Sequence, residues 1–213
     1  MTGCVLRAVQ GIRRPISCIC PPLAGIRHGA AQAGSTLEIN TLGHQPAARA
    51  LAVRGHRTRV TFSTSEIFEA TPTGQRDLLG CIGRVGEARM TYAVSKLATE
   101  HLSLAYWTQH GLPTAVVRPF NVYGPGQVGE GALSTFIKRA LHDEEIKIHG
   151  SGTQIRAWCY VDDMVAGIMA CLTHPNAPGK AFNIGNPRAV TTIYGLANTV
   201  IRLLGSRSKV GFV

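Results

Sequence analysis

Residues 91–120 read TYAVSKLATEHLSLAYWTQHGLPTAVVRPF. Helix formers run unbroken from about Tyr92 to Gln109, and Gly111 and Pro113 then stop the helix. Thr114-Ala115-Val116-Val117 follows at once as a short buried strand. A helix feeding directly into an apolar strand is half of the repeating unit of an α/β fold. Outward from this segment the alternation continues. Upstream, Ser35–Val53 places Leu37, Leu42, Ala47 and Leu51 at amphipathic spacing behind a Ser cap. Arg59–Phe62 reads as a strand ending in the polar run Ser63-Thr64-Ser65-Glu66, and the glycines and proline of 69–90 mark a long loop. Downstream come a Gly/Pro-rich loop at 121–131, a helix over Leu133–Leu141 and a strand over Ile146–His149. A helix over Asp162–Leu172, a strand over Ala181–Ile184 and a helix over Thr192–Leu204 complete the pattern. Strands alternating with helices predict an α/β fold with parallel pairing.

Composition narrows the function classes. Of 213 residues, 45% are hydrophobic and 16% charged, which is globular rather than disordered. No apolar run approaches the ~18 residues of a membrane span. The net charge is +10, but residues 1–60 carry eight arginines against Glu38 alone, so the rest of the chain is near balance. No basic stripe interleaved with aromatics supports a nucleic-acid partner. The six cysteines show no C-x-x-C and the eight histidines are dispersed, so no metal site is expected. Free thiols in a reducing cytoplasm are the simplest reading. Residues 1–27 are basic, acid-free and without sustained period; they read as an irregular leader, with a targeting segment or a basic tail as alternatives.

The chemistry-bearing residues fall at strand ends. Tyr92 and Lys96 lie four residues apart, so they share one helix face. A neighbouring ammonium favours the phenolate and makes the tyrosine a better general base. A lone Y-x-x-x-K also arises as two ordinary surface residues. Asp162-Asp163 imitates a carboxylate pair, but its place at a helix start fits an N-terminal cap. The glycines at 124, 126, 129 and 131 suit either a phosphate cradle or turns, and turns are the simpler role.

Taken together, the motifs resemble the extended short-chain dehydrogenase/reductase family, the NAD-dependent epimerases and dehydratases of nucleotide sugars. The resemblance rests on S-T-S-E-I-F at 63–68, Y-A-V-S-K at 92–96 and R-P-F-N-V-Y-G-P at 118–125. It extends through G-S-G-T-Q-I-R-A-W-C-Y-V-D-D at 150–163 and F-N-I-G-N-P at 182–187. It covers roughly residues 28–213, and His28-Gly-Ala30-Ala31 is similar to the family's H-x-A-A turn. It implies a partial Rossmann-like, doubly wound parallel sheet with a small substrate-binding domain. Residues 28–125 with parts of 150–190 would form the NAD-binding part, and 126–149 with 185–213 the substrate-binding part. The boundary is expected near Pro119–Asn121, with recrossings near Asp162 and Asn183.

The resemblance also implies roles. Tyr92 would be the acid/base, Lys96 would hold the nicotinamide ribose, and Thr64 would bond the reacting sugar oxygen. Ala30, Ala31, Ser63, Pro119, Phe120 and Val122 would touch NAD. Asn121 and Arg156 would bind the substrate's phosphates, a task that suits a guanidinium. Thr64, Asn121 and Arg156 also have plain readings as a strand end, a loop residue and a surface charge. The partners implied are a nucleotide sugar and a second copy joined through the Tyr92 helix. All members begin by hydride transfer to NAD. Thr64-Ser65-Glu66 lacks the Asp that dehydratases carry, so 4-epimerase ranks first and a UDP-glucuronate-decarboxylase-like reaction second.

One departure stands out. No G-x-x-G-x-x-G follows a strand, and no acidic residue follows about 20 positions later. An N-terminally incomplete member, binding NAD weakly or inactive, is therefore the third reading.

Overall fold

The computed structural model describes residues 17–19, 33–42, 58–68, 86–127 and 131–213. In chain order the elements are β1 (Ser17–Ile19), α1 (Ala33–Leu42), β2 (Arg59–Phe62), α2 (Thr91–His110), β3 (Thr114–Pro119), β4 (Asn121–Tyr123) and α3 (Ala132–Leu141). They continue as β5 (Ile146–Ile148), β6 (Ile155–Tyr160), α4 (Val161–Thr173), β7 (Ala181–Ile184), β8 (Val190–Thr192), α5 (Ile193–Leu204) and β9 (Val210–Phe212). Short 3-10 turns occupy Ser65–Phe68 and Ala88–Met90.

The chain divides into two compact units. The first holds the described residues up to Pro119 together with Val165–Ile184; the second holds Phe120–Met164 and Gly185–Val213.

The first unit is built on a parallel sheet of order β1-β2-β3-β7. Val60, Ala115, Val116 and Val117 are fully buried in it. Polar Arg59, Thr61 and Thr114 are buried beside them, so β2 and β3 are enclosed on both faces although only Ala115–Val117 is a continuous apolar run. Helix α2 packs against β2 and β3, and α1 packs against α2. Gly111 ends α2 in the left-handed conformation (φ 64°), its amide bonding the Trp107 carbonyl at 2.9 Å, so the chain turns straight into β3. Gly167 lets α4 lie close over β7, because a Cβ there would come within 2.9 Å of Ile184 Cδ1.

Several expectations need correction. The 1–27 segment is not irregular throughout, because Ser17–Ile19 pairs with Arg59–Thr61 as a parallel strand. Helix α1 begins at Ala33, so Ser35 lies inside its first turn rather than at the cap. Its buried side chains are Thr36 and Asn40, whereas Leu37 is exposed. Asn40 meets a hydroxyl of α2, its Nδ2 donating to Ser95 Oγ at 3.0 Å, while Thr36 Oγ1 has no hydrogen-bond partner among the described residues. The loop expected at 121–131 opens with strand β4. Residues 120–125, expected with the first domain, belong to the second unit.

The second unit holds a three-stranded sheet of order β4-β6-β8, parallel then antiparallel, and the parallel pair β5-β9. Its core is Phe136 and Ala140 of α3, Ile146 and Ile148 of β5, and Leu196, Ala197 and Val200 of α5. The i, i+4 spacing of Phe136 and Ala140 and of Leu196 and Val200 places each pair on one helix face. Asp162 and Asp163 occupy the first turn of α4, where the helix dipole favours negative charge.

A carboxylate fixes how β5 and β9 come together. Asp143, in the turn after α3, takes a positive φ of 54°. It accepts hydrogen bonds from the Arg207 amide at 2.7 Å, the Ser206 hydroxyl at 2.9 Å and two Arg207 guanidinium nitrogens at 3.1 Å. The Arg207 amide chiefly, then the Ser206 hydroxyl and the Arg207 side chain, hold the carboxyl below its ordinary value. A carboxyl depressed in the folded state stabilises the fold above its unfolded value, and that contribution disappears as pH falls through the folded value. Asp143→Asn keeps a residue that tolerates positive φ while removing the charge. In denaturant titrations the variant is expected to be less stable than the parent at neutral pH, with the difference beginning to shrink below about pH 4 and disappearing once the folded carboxyl is protonated.

Candidate active site

Helix α2 buries an unusual face. Ala93, Ser95, Lys96, Thr99, Glu100 and Ser103 are its buried residues, and only Ala93 is apolar. The hydroxyls first satisfy their own helix: Ser95 Oγ bonds the Tyr92 carbonyl at 2.7 Å, Thr99 Oγ1 the Ser95 carbonyl at 2.7 Å and Ser103 Oγ the Thr99 carbonyl at 2.8 Å. They also reach neighbours. Asn40 Nδ2 donates to Ser95 Oγ at 3.0 Å, Thr99 Oγ1 lies 3.2 Å from the Asn40 carbonyl, and Ser103 Oγ lies 3.1 Å from Thr61 Oγ1. Small hydroxyl side chains let α1 and β2 approach closely, and the interlocking bonds fix the rotation of α2 about its own axis.

That rotation aims Lys96. The residue is 2% exposed, and a lysine is almost never so buried without partners. Its Nζ donates to the Phe62 carbonyl, the last of β2, at 3.1 Å, and stands 5.6 Å from the centre of the Tyr92 ring. Tyr92 is half-buried one turn earlier on the same face. Directly beyond Phe62, Ser63 and Thr64 are both buried. Thr64 Oγ1 accepts the Glu66 amide at 3.3 Å, which shapes the turn. Ser63 Oγ has no hydrogen-bond partner among the described residues. The carboxyl end of β2 therefore gathers Ser63 and Thr64 beside the carbonyl that holds Lys96, with Tyr92 next to that ammonium. In doubly wound sheets ligands bind at the carboxyl ends of the strands.

One turn further along α2, Glu100 is 3% exposed and meets Arg118 of β3, which is 8% exposed. Arg118 Nε donates to Glu100 Oε2 at 3.0 Å and Arg118 Nη2 to Glu100 Oε1, a two-pronged ion pair. The guanidinium also lies 5.2 Å from the centre of the Phe68 ring.

The other expected residues lie in different places. Pro119 closes β3 at the end of the first unit, and Phe120 and Val122 begin the second. Asn121 sits on β4, its Nδ2 donating to the Ala157 carbonyl at 3.0 Å. Arg156, on β6, is exposed and its Nη1 donates to the Ile155 carbonyl at 2.9 Å. Asn121 pairs with Trp158 and Tyr123 with Tyr160, so Arg156, Trp158 and Tyr160 share a sheet face with Asn121 and Tyr123. The Tyr123 ring meets Tyr160 edge-on at 5.5 Å. Ala30 and Ala31 lie outside the described residues. Burial raises the Cys159 thiol, with Asp163 adding to the effect, and burial alone raises that of Cys171; neither is an activated nucleophile.

The family model for NAD-dependent epimerases and dehydratases matches residues 16–185. The chain belongs to this family. It is 33% identical over 183 residues to UDP-glucuronic acid decarboxylase 1 of Xenopus tropicalis, covering 84% of this chain and 42% of that protein. It is also 33% identical over 156 residues to UDP-glucuronate 4-epimerase of Thermodesulfobacterium geofontis, covering 73% of this chain and 46% of the relative. The chain spans half or less of the length of these curated relatives. Among solved structures it superposes on UDP-glucuronic acid 4-epimerase from Bacillus cereus, in complex with UDP-glucuronic acid and NAD, with a TM-score of 0.81 and 26% identity. That match covers 97% of this chain and 64% of the other. In the family member described here, the feature missed from sequence is the polar face of α2. Its signal was present as Ser95, Thr99 and Ser103, spaced by four residues.

Ser95→Ala removes the acceptor of Asn40 Nδ2, leaving a fully buried amide short of one bond. A loss of about 1–3 kcal/mol is expected. It should appear as a lower denaturant midpoint with an unchanged slope.

Proposed function

We propose that the whole protein oxidises C4 of a nucleotide-linked sugar and returns it as the C4 epimer, with Tyr92 as the acid/base. The observation that carries this reading is the setting of Lys96, held by the Phe62 carbonyl at 3.1 Å and facing the Tyr92 ring at 5.6 Å. An ammonium so placed favours the phenolate, which takes the proton of the C4 hydroxyl as that carbon becomes a ketone. Thr64, at the same strand end, hydrogen-bonds the reacting oxygen. Tyr92 gives the proton back when the ketone is reduced on its other face.

The residues at this strand end fit NAD. Ser63 Oγ, buried and without a hydrogen-bond partner among the described residues, suits a contact to the nicotinamide amide. Lys96, an ammonium with three N–H donors, is proposed to bond the ribose. Ala30, Ala31, Pro119, Phe120 and Val122 complete the proposed cofactor contacts. NAD, when bound, supplies the acceptor for the C4 hydrogen and its later donor. Asn121 and Arg156 are proposed to hold the substrate's diphosphate, Arg156 through two parallel N–H bonds.

The substrate class proposed is a UDP-linked uronic acid, the class named for both curated relatives. The same likeness favours a second reading. A uronic acid oxidised at C4 is a β-keto acid and loses carbon dioxide readily. Thr64-Ser65-Glu66 also resembles the decarboxylase triplet. Product analysis of the whole protein with NAD and UDP-glucuronate separates the two: an epimeric uronic acid supports the first reading, a pentose with released carbon dioxide the second. Tyr92→Phe is expected to lower kcat by about 10²–10⁴-fold, the usual worth of a positioned acid/base. Turnover unchanged in that variant would remove Tyr92 from the mechanism.

A further inference from the structure

The strand end that carries Ser63 and Thr64 is tied to α2 on its upstream side by the Lys96 bond to the Phe62 carbonyl. A second tie follows on its downstream side. The turn Ser65–Phe68 packs against α2 and buries Ile67 and Phe68. The Arg118 guanidinium lies over the Phe68 ring, its central carbon 5.2 Å from the ring centre. Arg118 in turn gives Nε and Nη2 to the two carboxylate oxygens of Glu100, which sits one turn beyond Lys96 on α2. Phe62 and Phe68 are thus both referred to one helix, and Ser63 and Thr64 lie between them.

The downstream tie calls for an aromatic ring. Arg118 Nη1 is buried and has no hydrogen-bond partner among the described residues. The negative face of a ring within about 6 Å gives such a cation an electrostatic partner that an aliphatic side chain lacks. Glu100 holds the guanidinium by two bonds, which fixes its plane and presents a flat face to Phe68.

We propose that Arg118 and Phe68 are positioning residues, which dock the Ser65–Phe68 turn on α2 and so hold Thr64 in place for the oxygen on which Tyr92 acts. Thr64 Oγ1 accepts the Glu66 amide at 3.3 Å, so the hydroxyl follows the turn. The consequence for catalysis rests on the reading of Thr64 and Tyr92 given above; the docking itself concerns only side chains of the first unit. A cation–π contact multiplies the docked population over the undocked by roughly 2–30-fold. A group misplaced by about 1 Å costs up to about 10²-fold in rate.

Fluorination of the Phe68 ring separates its charge distribution from its packing. Mono-, di- and trifluorophenylalanine at this position withdraw electron density from the ring face in steps while nearly keeping its shape. Phe68→Leu keeps an apolar side chain without a ring face. Arg118→Lys keeps a cation for Glu100 without a planar one.

The first readout is hydrogen exchange in the 213-residue chain at the Glu66 amide. The reference is the Val116 amide, which bonds the Lys180 carbonyl at 2.9 Å within the sheet. Glu66 is expected to exchange faster by roughly 2–30-fold in Phe68→Leu and Arg118→Lys, and stepwise faster along the fluorinated series, with Val116 unchanged. The second readout is turnover of UDP-glucuronate with NAD by the whole protein. There kcat is expected to fall in the same order, by about tenfold or more in Phe68→Leu. The KM for the nucleotide sugar should change little, because Asn121 and Arg156 belong to the second unit.

Parental exchange across the fluorinated series, or equal acceleration at Glu66 and Val116, overturns the docking. Parental kcat in variants whose turn has loosened overturns the positioning role. If Phe68→Leu does not fold, the fluorinated series decides, because it keeps the shape of the ring. Failure of the Tyr92 reading shows separately, as turnover unchanged in Tyr92→Phe, and the exchange measurement still decides the docking.

Discussion

The hydrogen bond from Lys96 Nζ to the Phe62 carbonyl ties the chemistry of the first unit to its architecture. It joins the middle of a helix to the last residue of a strand, and it holds only if α2 has the right rotation and the right height on the sheet. A buried ammonium left without such acceptors would cost several kcal/mol. The rest of the first unit is arranged to keep the bond made: Ser95, Thr99 and Ser103 engage α1 and β2, and Glu100 engages β3. Helix α2 is thus held on three sides by directional contacts rather than by shapeless apolar packing.

Polar and apolar cores divide the labour between the units. The second unit is organised by ordinary burial of Phe136, Ile146, Ile148 and Leu196, which tolerates small shifts. The α2 face does not tolerate them, because a hydroxyl moved by an ångström loses its bond. Precision has been placed along the face of α2 that carries Lys96.

Much of this was legible in the sequence. Strands β2 and β7 were readable to the residue, because Arg59–Phe62 and Ala181–Ile184 are compact β-forming runs between turn-forming neighbours. Helix α2 was readable within one residue at each end, its stop written in Gly111. What escaped were elements whose pairing lies far along the chain. Strand β4 hides in a motif read as a loop, since Asn121–Tyr123 finds its partner in Trp158–Tyr160. Apolar periodicity assumes an apolar neighbour, and on α1 that assumption fails. Leu37 satisfies the periodicity, yet it is exposed, and Asn40 is buried where it meets the Ser95 hydroxyl of α2. At the site, Tyr92 and Lys96 were visible as a spacing, while the Glu100–Arg118 pair needed two elements brought together and left no local trace.

The passage of the chain out of the first unit after Pro119 and back into it at Val165 has a consequence for biosynthesis. Strand β3 leaves the ribosome with its outer edge unpaired. Its partner β7 starts at Ala181, roughly sixty residues later. At ordinary elongation rates that is about 3–12 s of translation. Throughout that interval the nascent sheet offers an open row of amides and carbonyls beside fully apolar Val116 and Val117, which is the feature that recruits stray strands. A chaperone that caps such edges during translation would matter more to this chain than to one whose sheet is laid down strand by strand.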